Sequence, residues 1–294
     1  MRAESKGYAT MKSHSQPPNS ADFIQTDPGL GVLRMATLFA ESQTDPDDEA
    51  LSLMSAQVEA GALAGVEASA IWPELARGIM SGSPSRMIGA LRECGALYQI
   101  LPEVAAIFGV PQLSDEPAQV DLGEHMLQAL DEAALRNASL PVRFALLVMN
   151  IGKSDSPREH LPVHYKHVDR GRPRIEALCA RFEAPEDCKE LALVALAECE
   201  RVHRVSKMRA GPVAAMLERL GAFDAPQRFR QLMMVCACDF CAHPGRSGQA
   251  YQKSALLDIA FDACADVDNA AEDQTMARAE AIARAFRSLR WSDA

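Results

Sequence analysis

The chain predicts an all-α fold, a multi-helix array, and three observations carry that expectation. Aromatic residues make up only 5% of 294 residues while 48% are hydrophobic. Ala, Leu, Glu and Arg dominate, and the β-branched and aromatic residues that favour strands are sparse. Apolar residues also recur three or four positions apart in segment after segment, the repeat of a helix that buries one face. No stretch shows the alternation of a half-buried strand, so no strand is expected.

Taken in order, residues 1–22 are polar, carry Ser, Pro and Asn without period, and read as a disordered lead. Val32, Leu33, Met35, Leu38 and Phe39 mark a helix over 31–41, with Asp27-Pro28 as its start signal. Helices follow over 48–61 and 73–81. Pro84 opens another over 85–95, and Gly95 suits its C-terminal cap. A short helix–turn pair comes next, broken by Pro102 and Pro111. The segment 123–137 predicts a strong helix with His125 near its start, and 141–151 an apolar one. A polar loop then carries His160, His164 and His167. Amphipathic helices are expected over 173–182, 187–205, 211–220 and 225–243, and two more over 254–265 and 270–289.

Composition sets bounds on location and partners. No window holds 18 uninterrupted apolar residues, so no membrane span is expected. The N-terminal residues lack the apolar core of a secretory signal. Eight cysteines lie within apolar helical patterns, which suits reduced thiols and a cytoplasmic location. The net charge of −10 opposes long-range attraction to nucleic acid. Basic residues nevertheless gather over 158–174 and 201–209, as a binding surface or as solvated helix faces.

Three local patterns touch on chemistry. Cys236, Cys238, Cys241 and His243 have a zinc-like density, but on one continuous helix only Cys238 and Cys241 share a face. Core filling is the simpler reading. Asp266-Val267-Asp268 has the spacing of a metal-holding carboxylate pair, yet it ends a helical segment and reads as a solvated acidic end. Gly152-Lys153 suits either contact with a phosphate or a cation at a helix C-terminus.

The stretch over 90–109, ALRECGALYQILPEVAAIFG, together with Met149-Asn150-Ile151-Gly152-Lys153, resembles bacterial tRNA CCA-adding nucleotidyltransferases. The similarity runs over roughly 23–267. It implies a neck/body-like helical domain at 23–112 and a degenerate HD-like and tail helical domain at 113–294. Asp27 and Arg34 then stand as remnants of the template that selects nucleotides, with Gly31 where an arginine is usual. Ser69 to Leu75 keeps a family Trp and Glu as Trp72 and Glu74.

In the HD-type phosphohydrolase core of such enzymes a helix ends in His-Asp-Leu-Gly-Lys. Here Met149-Asn150 replaces the metal-binding pair, and Glu200-Arg201 falls at the later dyad. His125 matches the first ligand, while His164 and His167 match auxiliary histidines. No cofactor is expected unless those three imidazoles hold a divalent metal. The two carboxylates that nucleotidyl transfer needs are expected in a head domain before residue 23, where only the polar lead stands.

The family's body and tail helices grip tRNA by its phosphates. That role maps onto Lys153, Arg158, Lys166, Arg170, Arg172, Arg174, Arg204, Lys207 and Arg209. The leading expectation is a tRNA- or RNA-binding relative without autonomous CCA addition. One alternative is a residual metal-dependent phosphohydrolase acting on phosphate monoesters or 2′,3′-cyclic nucleotides. Another is a helical interaction scaffold with a protein partner.

Overall fold

The structure is a computed structural model that describes residues 27–115, 117–204, 209–267 and 273–292. The lead over 1–22, Lys207 and Asp268 lie outside the described residues. Helices begin where the chain supplies a cap. In α1 (Pro28–Ser42) the Asp27 carboxylate accepts from Leu30 N at 3.2 Å, and Pro28 takes a position whose N–H would have no partner. Asp47 caps α2 (Asp48–Glu59) through Ala50 N at 2.8 Å. There follow α3 (Ala68–Ile79), α4 (Pro84–Glu93), α5 (Ala96–Ile100) and α6 (Pro102–Ala105). Gly95 takes φ +83° where α4 ends, as a C-terminal cap requires.

One element departs from the helical expectation. β1 (Pro111–Leu113) and β2 (Gln119–Asp121) pair antiparallel, with Gln112 opposite Val120. Strands of three residues are too short for alternation to register in the sequence. Asp121 then caps α7 (Leu122–Leu135) through Glu124 N at 2.9 Å. The chain continues through α8 (Leu140–Val148), two 3-10 turns at Ile151–Lys153 and Arg158–His160, and α9 (His167–Phe182). α10 (Glu186–Arg204), α11 (Ala210–Arg219), α12 (Pro226–Cys241), α13 (Gln252–Asp262) and α14 (Gln274–Ser292) complete it.

α3 and α9 start earlier than their prolines suggested, so Pro73 and Pro173 stand inside helices. Each gives up one backbone hydrogen bond. In α9 the compensating packing is visible. A Cβ on Gly152 would lie 2.1 Å from His167 O and 2.5 Å from Gly171 N, so turn and helix touch backbone to backbone. Arg170 Nε donates to Gly152 O at 3.0 Å and Arg174 donates to Ile151 O at 3.1 Å, fastening the turn to α9.

One hydrophobic core runs from Val32 to Ile282 and takes residues from both sides of position 112. Arg143 is buried across that division. Its guanidinium donates to Ala138 O at 2.9 Å, Ile79 O at 3.0 Å and Ser81 O at 2.8 Å. Among the described residues, no helix is long and apolar enough to cross a membrane.

Candidate functional site: a polar cleft with two unlike walls

A cleft of about 470 Å³ opens between the 149–167 segment, the β1 edge and the facing sides of α10 and α12. The loop wall comes from the turn that Gly152 allows to press on α9. Lys153 is buried there, with Nζ 2.6 Å from Gln112 Oε1 and 2.9 Å from Glu200 Oε1. His164 donates through Nε2 to Pro111 O at 3.1 Å. Its Nδ1 therefore accepts from Ser156 Oγ at 2.8 Å. His167 donates through Nδ1 to His164 O at 2.8 Å.

Burial, then the Lys153 charge, push His164 down to about 4. His167 is lowered as well, burial first. For Glu200 burial works upward, but Lys153 outweighs it and holds the carboxyl below its ordinary range. The loop wall is a set of side chains already matched to partners.

The helix wall concentrates its polar atoms. Asp239 on α12 shares its two oxygens between imidazoles, Oδ1 at 3.0 Å from His125 Nε2 and Oδ2 at 3.0 Å from His203 Nε2. His203 Nε2 is also 3.3 Å from Cys199 Sγ, and its Nδ1 is 2.8 Å from the Tyr251 hydroxyl. Lys253 Nζ donates to the His203 carbonyl. Beside them the rings of His125 and His243 lie 4.5 Å apart.

Burial alone would raise the Asp239 carboxyl, but the two imidazoles outweigh it and hold it well below the carboxylate range. His203 is pushed up to about 10, because Cys199 and Asp239 overcome a burial effect that runs downward. A hydrogen bond with Cys236, followed by burial, holds the Cys199 thiol well above its usual value. Burial, then His125, push His243 down to about 4.

The residues nominated from sequence divide between these places. His125 belongs to the helix wall, while His164 and His167 belong to the loop wall. Among the described residues, the one group of three or more His, Cys, Asp or Glu with ligand atoms all within 4.8 Å of one another is Cys199, His203 and Cys236. Met149 and Asn150 are buried at the cleft and offer a thioether and a neutral amide. Those groups do not fit the hard divalent ion of a His-Asp pair.

Of the basic residues, Lys153, Arg170 and Arg174 serve the loop itself, whereas Arg158, Lys166, Arg172, Arg204 and Arg209 are exposed. Arg172 lies 3.8 Å from Glu176, and Arg204 lies 2.6 Å from Glu200. Asp27 is engaged as a helix cap, and Arg34 Nε bonds Glu74 Oε1 at 3.1 Å.

Sequence reasoning missed Cys199, His203, Asp239 and Tyr251. A signal was present in part: Cys199 and His203 are four apart and Cys236 and Asp239 three apart, so each pair shares a helix face. That the two faces meet is not written in either spacing.

No family model matches the chain. It is 39% identical to the multifunctional CCA protein of Dechloromonas aromatica over 239 residues, 81% of this chain and 58% of that protein. The protein of the same name from Nitrosospira multiformis is 38% identical over 253 residues, 86% of this chain and 61% of the relative. That of Burkholderia mallei is 41% identical over 248 residues, 84% and 60% respectively. The chain thus spans about three fifths of the length of these curated relatives.

Proposed function

The chain is a relative of the bacterial multifunctional CCA proteins over the greater part of its own length, and from that premise we propose that it is a tRNA-contacting helical body without His-Asp phosphohydrolysis. The observation that carries the second half is Met149-Asn150. It lies buried at the cleft where a charged metal-binding pair would be needed.

What supports RNA contact is the division among the basic residues. Arg158, Lys166, Arg172, Arg204 and Arg209 keep their charges on the surface, within or close to the segments that line the cleft. Phosphate contact requires such accessible cations, because its free energy comes largely from counterion release. Lys153, Arg170 and Arg174 serve a different end: they hold the loop that presents Arg158 and Lys166.

The test is a salt titration of binding to mature and CCA-truncated tRNA. Affinity should fall steeply with salt. A variant carrying Arg158→Ala, Lys166→Ala, Arg172→Ala and Arg204→Ala should flatten the slope by roughly one unit for each phosphate no longer neutralised. Its stability should stay within about 0.5 kcal/mol of the parent chain, since exposed charges contribute little to folding. Absence of binding at low salt, or a slope the variant leaves unchanged, would overturn the reading.

A further inference from the structure

We propose that Cys199, Cys236 and His203 form a zinc site between α10 and α12, its fourth position open to the cleft beside Asp239. Four observations carry it, and none depends on the RNA reading.

The first is convergence. Two thiols and an imidazole, drawn from two helices, place their ligand atoms within 4.8 Å of one another, with Cys199 Sγ 3.3 Å from His203 Nε2. Zinc bonds of about 2.3 Å to sulfur and about 2.0 Å to nitrogen set tetrahedral ligand atoms roughly 3.3–3.8 Å apart. The Cys199–His203 spacing of 3.3 Å falls in that range, and the remaining pairs lie within 4.8 Å.

The second is the donor set. Two soft thiolates and a borderline imidazole select zinc over the hard ions that carboxylates and carbonyls favour. Zn²⁺ with two thiolates carries no net charge, which suits a pair of cysteines as buried as Cys199 and Cys236. Binding releases the two thiol protons, and any proton on His203 Nε2, to solvent.

Third, the ligands are oriented from behind. With Nε2 on a metal, His203 carries its proton on Nδ1, and that atom lies 2.8 Å from the Tyr251 oxygen. A ligating histidine normally donates its other N–H in this way. Asp239, held by His125 Nε2 at 3.0 Å, has Oδ2 3.0 Å from that same His203 Nε2. Metal binding would replace this hydrogen bond, leaving the carboxylate beside the open position.

Fourth, the site is not closed. Cys199, His203 and Asp239 line the cleft, whereas Cys236 stands behind them in the core. Three protein ligands with one solvent-facing position is the arrangement that leaves room for water or an anionic oxygen. Among the described residues, the other buried cysteines, such as Cys94 and Cys188, belong to no such group and read as small core residues.

The full chain, purified without a polyhistidine tag and in reductant, should be stripped with a chelator, dialysed and titrated with Zn²⁺ and separately with Co²⁺. One equivalent of zinc should bind. The Co²⁺ form should show tetrahedral d–d bands and thiolate-to-metal charge transfer in the near ultraviolet. Cys199→Ser and Cys236→Ser should each weaken zinc binding at least 10-fold and diminish the charge-transfer band, while Cys188→Ala should retain both. The Co²⁺ spectrum of the parent chain decides the matter even if a serine variant fails to fold. A parent chain that binds no zinc, or a cobalt spectrum without the thiolate band, would overturn the proposal.

Discussion

The two walls of the cleft hold similar residues and use them differently. On the loop wall, Lys153, His164, His167, Arg170 and Arg174 spend their donors on nearby oxygens, chiefly the carbonyls of Gly152, Ile151, Pro111 and His164. Irregular backbone carries groups that no helix satisfies, and polar side chains there are recruited to satisfy them. On the helix wall α10 and α12 satisfy their own backbone within the helix, except at the last turn of α10, where Lys253 takes the His203 carbonyl. Cys199, His203 and Asp239 are therefore free to aim at one another. A polar cluster on regular helices is the better sign of a site, because secondary structure gives no reason for it.

The sharpest way to break this contrast is Asp239→Ala. It removes the carboxylate shared by two imidazoles and should cost about 3–5 kcal/mol in urea unfolding, as loss of one partner from a buried pair does. Asp239→Asn keeps the shape and should cost less. If both variants unfold like the parent chain, the helix wall carries no electrostatic coupling.

Next in size is Gly152→Ala on the opposite wall. Its Cβ would meet His167 O and Gly171 N at 2.1 and 2.5 Å, so the turn must lift from α9. A destabilisation of about 1–3 kcal/mol is expected, the scale of overpacking. It should be accompanied by faster hydrogen exchange over 151–174 and little change in α12. Protection reduced equally on both walls would show that they unfold as one unit.

The smallest effect separates the walls by pH. His164 is held at about 4 in the folded chain against an ordinary value near 6.5. Between those values the unfolded chain takes up a proton that the native side chain refuses. The contribution of His164 to stability is thus intact above about pH 6.5 and is lost as pH falls toward 4. His164→Gln should flatten the decline in melting temperature over that window. An unchanged slope would mean that other groups, such as His243, carry it.

How legible these features were depends on the range over which they are decided. Helix existence was open to inspection because its causes are local. Asp27-Pro28 caps α1, Gly95 ends α4, and Val32, Leu33 and Met35 recur at helical spacing into the core. Two boundaries were not legible, since α3 and α9 run through Pro73 and Pro173. For α9, the close approach of Gly152 to Gly171, nineteen residues apart, is invisible to any local window. The hairpin at Pro111 was missed for its shortness. Among site residues, His125, His164 and His167 were nominated through the resemblance; His164 and His167 line the cleft, and His125 lies behind Asp239. Their roles could not be assigned that way.

The sequence by itself determined a helical chain and its relationship to the CCA proteins. Both are properties of residue order. Only the tertiary structure decided which polar groups meet. His125, Cys199, His203, Cys236, Asp239 and Tyr251 come from three helices and a helix cap, spread over more than a hundred residues. It also decided which cations are available, turning Lys153, Arg170 and Arg174 inward and leaving Arg158 and Lys166 outside. The physical reason is common to both. Hydrophobic burial is non-directional and can be read from composition and period, whereas hydrogen bonds and metal ligation depend on distances that exist only once the helices have packed.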